Sequence, residues 1–334
     1  MSTRRNFLRK AALAAGAVAL PWNMTVPVRA NAPIDRPHGP RMKLSLAAYS
    51  LRSKLATNPT DEELGKAEMT LDGFIDYCAS LGLDGTELTG YYFPKSVQET
   101  PIYRTDDVPA ENPEQRQAQL DTAVEQLNSL KNRAHRLGLD ITGTAIGNNF
   151  CVPEGPEWVS QINLCKDWID RSYILGAPVI RIFAGTVPKN DTEENAFKRC
   201  VAAIDECLKY AARRGVFLAL ENHGGITARP AQLLKIVNAV TPSPWFGVNF
   251  DSGNFHTDDP YRDLELIAPY AINAQIKVSI NRDGDRGPAD FERIVGIIKK
   301  ANYRGYLTFE YEEKEDPLVA IPKYIEQLRP LIAG

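Results

Sequence analysis

The stretch GVFLALENHGG, residues 215–225, decides how this chain is read. Apolar residues alternate into Glu221, Asn222 and His223, and two glycines follow at once. A strand with Leu218 and Leu220 on one face carries Ala219, Glu221 and His223 on the other, because side chains alternate along a strand. The run therefore predicts a strand that is covered on one side and ends in a carboxylate and an imidazole on the other.

Seven more runs read the same way: 43–50, 85–90, 140–146, 178–184, 246–251, 271–280 and 306–312. Helical stretches lie between them. TLDGFIDYCASLG (70–82) opens on a capping Thr and closes at a Gly, and PEQRQAQLDTAVEQLNSLKNRAHRLG (113–138) keeps a long 3.6-residue period. Eight strands alternating with eight helices suit an open doubly wound sheet or a closed (β/α)8 barrel. Eight units within residues 42–334 favour the barrel. No GxGxxG or GxxxxGK[ST] loop follows any strand, which counts against a nucleotide-binding sheet.

Barrel strands turn their apolar face to the helices, so the polar set points inward. That set is Ala219, Glu221 and His223 in the fifth strand, and Asn249 and Asp251 in the sixth. In the seventh it is Asn273, Gln275, Lys277 and Ser279, and in the eighth Thr308, Glu310 and Glu312. One oxygen ligand from each of four consecutive strands, Glu221, Asp251, Gln275 and Glu310, is expected to form a ring. Crowded carboxylates repel and are costly to desolvate, and one divalent cation would remove that cost. Oxygen ligands suit Mn²⁺ or Mg²⁺, with Zn²⁺ or Co²⁺ as options. His223, Asn254, His256 and Lys277 are expected to contact substrate. Lys277 serves either to hold an oxyanion or to pair with a carboxylate. Glu87 and Arg181 face inward from strands two and four, as a buried ion pair or as substrate ligands. Tyr49, Tyr91 and Tyr92 are candidate pocket residues; His38 and His135 read as surface.

Together ALENHGG, NFDSGN, QIKVS and TFEYEE resemble the sugar phosphate isomerase/epimerase family, with its xylose isomerase-like barrel. DGTELTGYYFP and VIRIFAG extend the resemblance over nearly the whole chain after residue 41. It implies a metal held at Glu221, Asp251, Gln275 and Glu310. Gln275 departs from the pattern, since many relatives carry His there. It also implies a carbohydrate substrate, with Glu221 and Glu310 moving protons through an enediolate to give an isomerase or epimerase. A lyase or hydrolase acting on a keto-sugar or glycoside, and a non-catalytic sugar-binding barrel, are the alternatives. No phosphate-binding cluster stands out, which favours an unphosphorylated sugar. A DNA-cleaving member of the same superfamily is disfavoured by the four histidines and the acidic charge.

The first thirty residues read as a twin-arginine export signal: Arg4 and Arg5, the short apolar segment AALAAGAVAL, and Val28-Arg29-Ala30 as a cleavage site. The translocase is then a partner during export and the destination is periplasmic. Residues 31–41 read as a linker and 42–334 as one barrel domain. Removing residues 1–30 takes away five basic residues and no acids, so the formal charge moves from −3 to −8. An acidic chain without a basic run is a poor partner for nucleic acid. No segment is long and apolar enough for a stable membrane span. Five cysteines without a CxxC pair read as free, buried thiols. A homo-oligomer is compatible with the sequence. The long stretch 91–112 after strand two is expected to form a lid or a partner contact.

Overall fold

A computed structural model describes residues 31–102, 112–282 and 284–333. The proposed signal at 1–30 and the middle of the 91–112 stretch lie outside the described residues. The barrel strands are β1 (Arg41–Ala47), β2 (Gly85–Thr89), β3 (Asp140–Ala145), β4 (Val179–Ile182), β5 (Phe217–Glu221) and β6 (Phe246–Asp251). After a two-residue strand β7 (His256–Thr257) comes β8 (Ala271–Lys277). Then follow β9 (Ser279–Arg282), β10 (Asp285–Pro288) and β11 (Arg304–Glu310). The strands β1, β2, β3, β4, β5, β6, β8 and β11 pair in parallel and close on one another through β1 and β11. The molecule is a TIM barrel, and all eight barrel strands fall where the alternation predicts them.

Local chemistry explains the alternation. The helix Glu193–Arg214 starts where the Thr192 side chain accepts a hydrogen bond from the Asn195 amide. It ends at Gly215, whose φ of 71° is left-handed and suits glycine. Between these ends Ala196, Cys200, Ala203, Ile204, Cys207 and Ala211 form one fully buried stripe at helical spacing. The outer face of β5 answers it with Leu218 and Leu220, both fully buried. Each large apolar side chain sealed in this way contributes about 1.5–3 kcal/mol. All five cysteines are free and buried, as expected from the sequence.

The run 271–280 is not one strand. The barrel strand β8 stops at Lys277, and Ser279 begins β9, which pairs with β10 and β7 in a small separate sheet. The strand parity of Ser279 therefore does not carry it into the barrel; its hydroxyl donates to Glu313 Oε1 instead. At the other end, the segment before β1 packs under the barrel. The Ile34 amide donates to Pro269 O, and the Arg36 guanidinium donates to Ala271 O and lies 5.5 Å from the Tyr303 ring.

Candidate active site

Four strands end on chemistry-bearing side chains. Glu221 is the last residue of β5, Asp251 of β6, Lys277 of β8 and Glu310 of β11. All four are buried, Asp251 completely. This is the C-terminal end of the barrel, where loops meet strand ends and reactions of this fold take place. A cavity of about 780 Å³ lies at the opposite end, lined by Phe217, Phe246, Ile272 and Tyr303. Its charged lining residues are Asp35, Arg36 and Arg304.

The two glycines after β5 make a turn that other residues could not. Gly224 and Gly225 have φ of 65° and 51°. A Cβ on Gly225 would stand 2.1 Å from Gly185 O, so only glycine lets the chain turn there. Asn222 then staples β5 to β6: its Nδ2 donates to Asp251 O, and its Oδ1 accepts from the Asp251 amide.

Two cations hold the carboxylates. Arg181 Nε lies 2.8 Å from Glu221 Oε2. The same guanidinium donates to Ile146 O and stacks 4.0 Å from the Phe183 ring centroid. Lys277 Nζ lies 3.3 Å from Asp251 Oδ2, 3.2 Å from Glu310 Oε2 and 3.0 Å from Glu312 Oε1. Asn254 joins both groups: its Nδ2 donates to Glu221 Oε1, and its Oδ1 accepts from Lys277 Nζ.

Beneath them runs an amide network. Gln275 Nε2 donates to Glu87 Oε1, and Asn249 Nδ2 donates to Gln275 Oε1. Asn273 Nδ2 donates to Asn249 Oδ1 and to Glu87 Oε2. Asn249 Nδ2 also reaches Glu221 Oε2 at 3.2 Å.

The expected ligand ring needs correcting on this geometry. Gln275 stands in register beside Asp251, but both ends of its amide are engaged, by Glu87 and Asn249. Glu221 has both oxygens engaged, one of them by a guanidinium. Asp251 Oδ1 accepts from the Gly253 amide, and Asp251 Oδ2 is buried without a hydrogen bond. Ions such as Mg²⁺ keep waters and need only one or two carboxylates, but here the Lys277 ammonium already stands 3.0–3.3 Å from Asp251, Glu310 and Glu312. The residues present do not fit one, and no group of three or more His, Cys, Asp or Glu among the described residues is arranged to hold a metal. The seventh barrel strand contributes an ammonium to the ring in place of an oxygen.

Other expectations are placed as follows. Glu87 and Arg181 both face inward, but Arg181 pairs with Glu221, not with Glu87. His223 stands at the rim, its ring 4.1 Å from that of Phe183. His256 is exposed and meets Asn281 Nδ2 in the small sheet, outside this network. Tyr91 makes edge contacts with Tyr49 and Tyr92 and hydrogen-bonds with Arg181. His38 and His135 are exposed. Asn249, Asn273 and Glu312, inward by strand parity but without an expected role, join the site through their hydrogen bonds and ion pair.

Burial dominates the electrostatics. It raises the Glu221 carboxyl to about 7, against the pull of Arg181 and Lys277. Asp251 is pushed well up by burial, with Lys277 opposing. Burial also works against the Lys277 ammonium, but Asp251, Glu310, Glu312 and Glu221 outweigh it and hold the charge firmly. His223 is lowered to about 4 by desolvation against its neighbours and by the two cations, so its imidazole is neutral.

Glu87 is raised to about 8, first by burial and then by Glu310. An unfolded glutamate titrates near 4.3, so the folded protein keeps a proton that the unfolded chain loses. The stability this gives is complete below the unfolded value and is lost as pH rises through about 8. Glu87→Gln keeps the shape without ionising, at a pH-independent cost where its amide nitrogen replaces the oxygen that accepts from Asn273 or Gln275. Urea unfolding from pH 5 to 9 should therefore show the variant gaining on the wild type as pH rises, by on the order of 2 kcal/mol. Parallel stability curves for the two proteins would contradict the neutral state of Glu87.

Comparisons with known proteins agree with the architecture. A family model described as a xylose isomerase-like TIM barrel matches residues 75–331. Among solved structures, 3-keto-D-glucoside 4-epimerase from E. coli superposes with a TM-score of 0.62 at 15% identity, covering 87% of this chain and 100% of that one. D-psicose 3-epimerase from Clostridium cellulolyticum H10 gives 0.62 at 16%, covering 88% and 100%. A probable 3-DHS dehydratase from Bacillus anthracis gives 0.56 at 15%, covering 86% and 99%. At such identities the likeness is one of fold. No curated protein matches the sequence.

Proposed function

This chain belongs to the xylose isomerase-like TIM barrel family, and we propose that it is a sugar isomerase or epimerase that moves a proton at a carbon beside a carbonyl. The observation that carries this reading is the ring of strand ends: Glu221, Asp251, Lys277 and Glu310 converge from β5, β6, β8 and β11. Two carboxylates on different strands flank the mouth; a fixed ammonium pairs with one, Glu310, and Asn254 links it to the other, Glu221. Structural neighbours that are themselves sugar epimerases support the substrate class.

In this reading the sugar carbonyl oxygen faces Lys277 Nζ. One carboxylate, Glu221 or Glu310, takes the proton from the adjacent carbon. The C–H electrons move into a C=C bond and the carbonyl electrons onto oxygen, giving an enediolate whose charge the ammonium stabilises. A carboxyl near pH 7, as Glu221 is, suits a general base. The other carboxyl returns a proton to the opposite face for epimerisation, or to the neighbouring carbon for isomerisation. Asp251 Oδ2, free of hydrogen bonds, is positioned to accept from a sugar hydroxyl. The neutral His223 and Asn254 line the approach. No step runs through a divalent ion, because the side chains here do not fit one. The periplasm is the proposed site of action, reached through the twin-arginine signal read at residues 1–30.

The test is deuterium wash-in. The protein is incubated in D₂O with a panel of free and 3-keto sugars, and the C–H positions are followed by NMR. Exchange at a carbon beside a carbonyl, with product of unchanged skeleton, is the expected result. Product lighter by a leaving group would make the same ring a lyase. Binding without exchange on any sugar would leave a sugar-binding barrel.

A further inference from the structure

We infer that the Lys277 ammonium is the resident cation of this site, standing where a metal-dependent relative would place its ion, and that the protein has no divalent-metal requirement. The binding half of this inference stands on geometry alone. The catalytic half, an ammonium stabilising the enediolate oxygen, rests on the proton-transfer reading above.

Three observations carry it. The first is position: Nζ lies 3.0–3.4 Å from three carboxylates and the Asn254 amide oxygen. An ion bound to Asp251 and Glu310 at about 2.0–2.6 Å would have to occupy the space the ammonium fills. The second is a built channel for the lysine stem. Gly253 passes beside it, and a Cβ there would stand 2.8 Å from Lys277 Cδ and 3.1 Å from Lys277 Cβ. The Lys277 amide is fixed as well, donating to Ser252 Oγ at 2.8 Å. The chain thus leaves out a side chain exactly beside the aliphatic stem that must reach the centre. The third is the surrounding donor set. Gln275 is turned to Glu87 and Asn249, and Glu221 is held by Arg181, so the oxygens left to an ion are those of Asp251 and Glu310, and both face the ammonium.

The test reads metal, not turnover. The purified protein is dialysed against excess MnCl₂ and then metal-free buffer. Ions per chain are counted by elemental mass spectrometry, and the melting temperature is compared with and without EDTA. The wild type is expected to hold far less than one ion per chain and to melt at the same temperature with and without chelator. About one ion per chain, with melting lowered by EDTA, overturns the inference. The variant Lys277→Met with Gln275→His removes the ammonium and offers an imidazole. It is expected to gain about one Mn²⁺ per chain and chelator-sensitive melting. A folded variant that binds none would show that the ammonium does not occupy an ion's place. If the variant does not fold, the wild-type measurement decides. Since no sugar is present, this result stands or falls separately from the wash-in experiment.

Discussion

Arg181→Met is expected to lower the melting temperature by about 10 °C, the largest stability loss of any single substitution at the site. The guanidinium is buried and faces Glu221 at 2.8 Å. Removing one partner of a buried pair leaves the other charge without compensation, which costs about 3–5 kcal/mol, and in a chain of this size each kcal/mol moves the midpoint by roughly 2–4 °C. The loss has a definite pH signature. Glu221 already sits above its ordinary range through burial, and without Arg181 it rises further. A carboxyl with a raised folded pKa gives stability that is complete below the unfolded value and lost as pH rises. The deficit of Arg181→Met should therefore be small near pH 5 and grow toward pH 8. The double variant Arg181→Met, Glu221→Leu should recover much of it, since apolar residues of similar volume often replace a buried pair without penalty. Chemical unfolding of the wild type, Arg181→Met, Glu221→Leu and the double variant at two pH values measures the cycle. A deficit independent of pH and of residue 221 would mean that Arg181 acts through packing on Phe183.

Glu310→Gln is expected to have the largest effect on activity with a small effect on stability. Its partner Lys277 keeps Asp251 and Glu312 when the charge at 310 is gone, so no buried cation is orphaned. Glu221→Gln is a less clean probe, because it would strand Arg181. A general acid–base contributes roughly 10²–10⁴-fold, so kcat should fall by that factor. Binding contacts are unchanged, so KM should move little. If Glu221 and Glu310 serve opposite faces, the variant should still exchange substrate deuterium through Glu221 while forming little product. Loss of affinity with kcat intact would assign Glu310 to binding.

Strand parity in the sequence places Glu221, Asp251, Lys277 and Glu310 on the inner face, and the barrel confirms all four. Parity gives a face but not a depth. Gln275 and Lys277 share a face two residues apart, and only their partners tell them apart: Gln275 is spent on Glu87 and Asn249, while Lys277 meets Asp251, Glu310 and Glu312. Lateral neighbours are equally hidden. Arg181 and Glu87 both point inward, but β4 lies beside β5, so the guanidinium finds Glu221 first. His256 falls outside the network because the loop after β6 forms a short strand against β9. A sequence cannot show that pairing, since two residues carry no period. The break at Val278 is hidden for a related reason: alternation continues unbroken from 271 to 280 while the chain changes sheets.

Deuterium wash-in with chelator present tests the central claim most directly. The protein is treated with EDTA, passed into metal-free D₂O and given a 3-keto sugar and its free-sugar counterparts. The account predicts exchange at the carbon beside the carbonyl at the same rate as before chelation. Exchange that disappears with EDTA and returns with Mn²⁺ would contradict the role of Lys277. No exchange under either condition would contradict the proton-transfer chemistry itself.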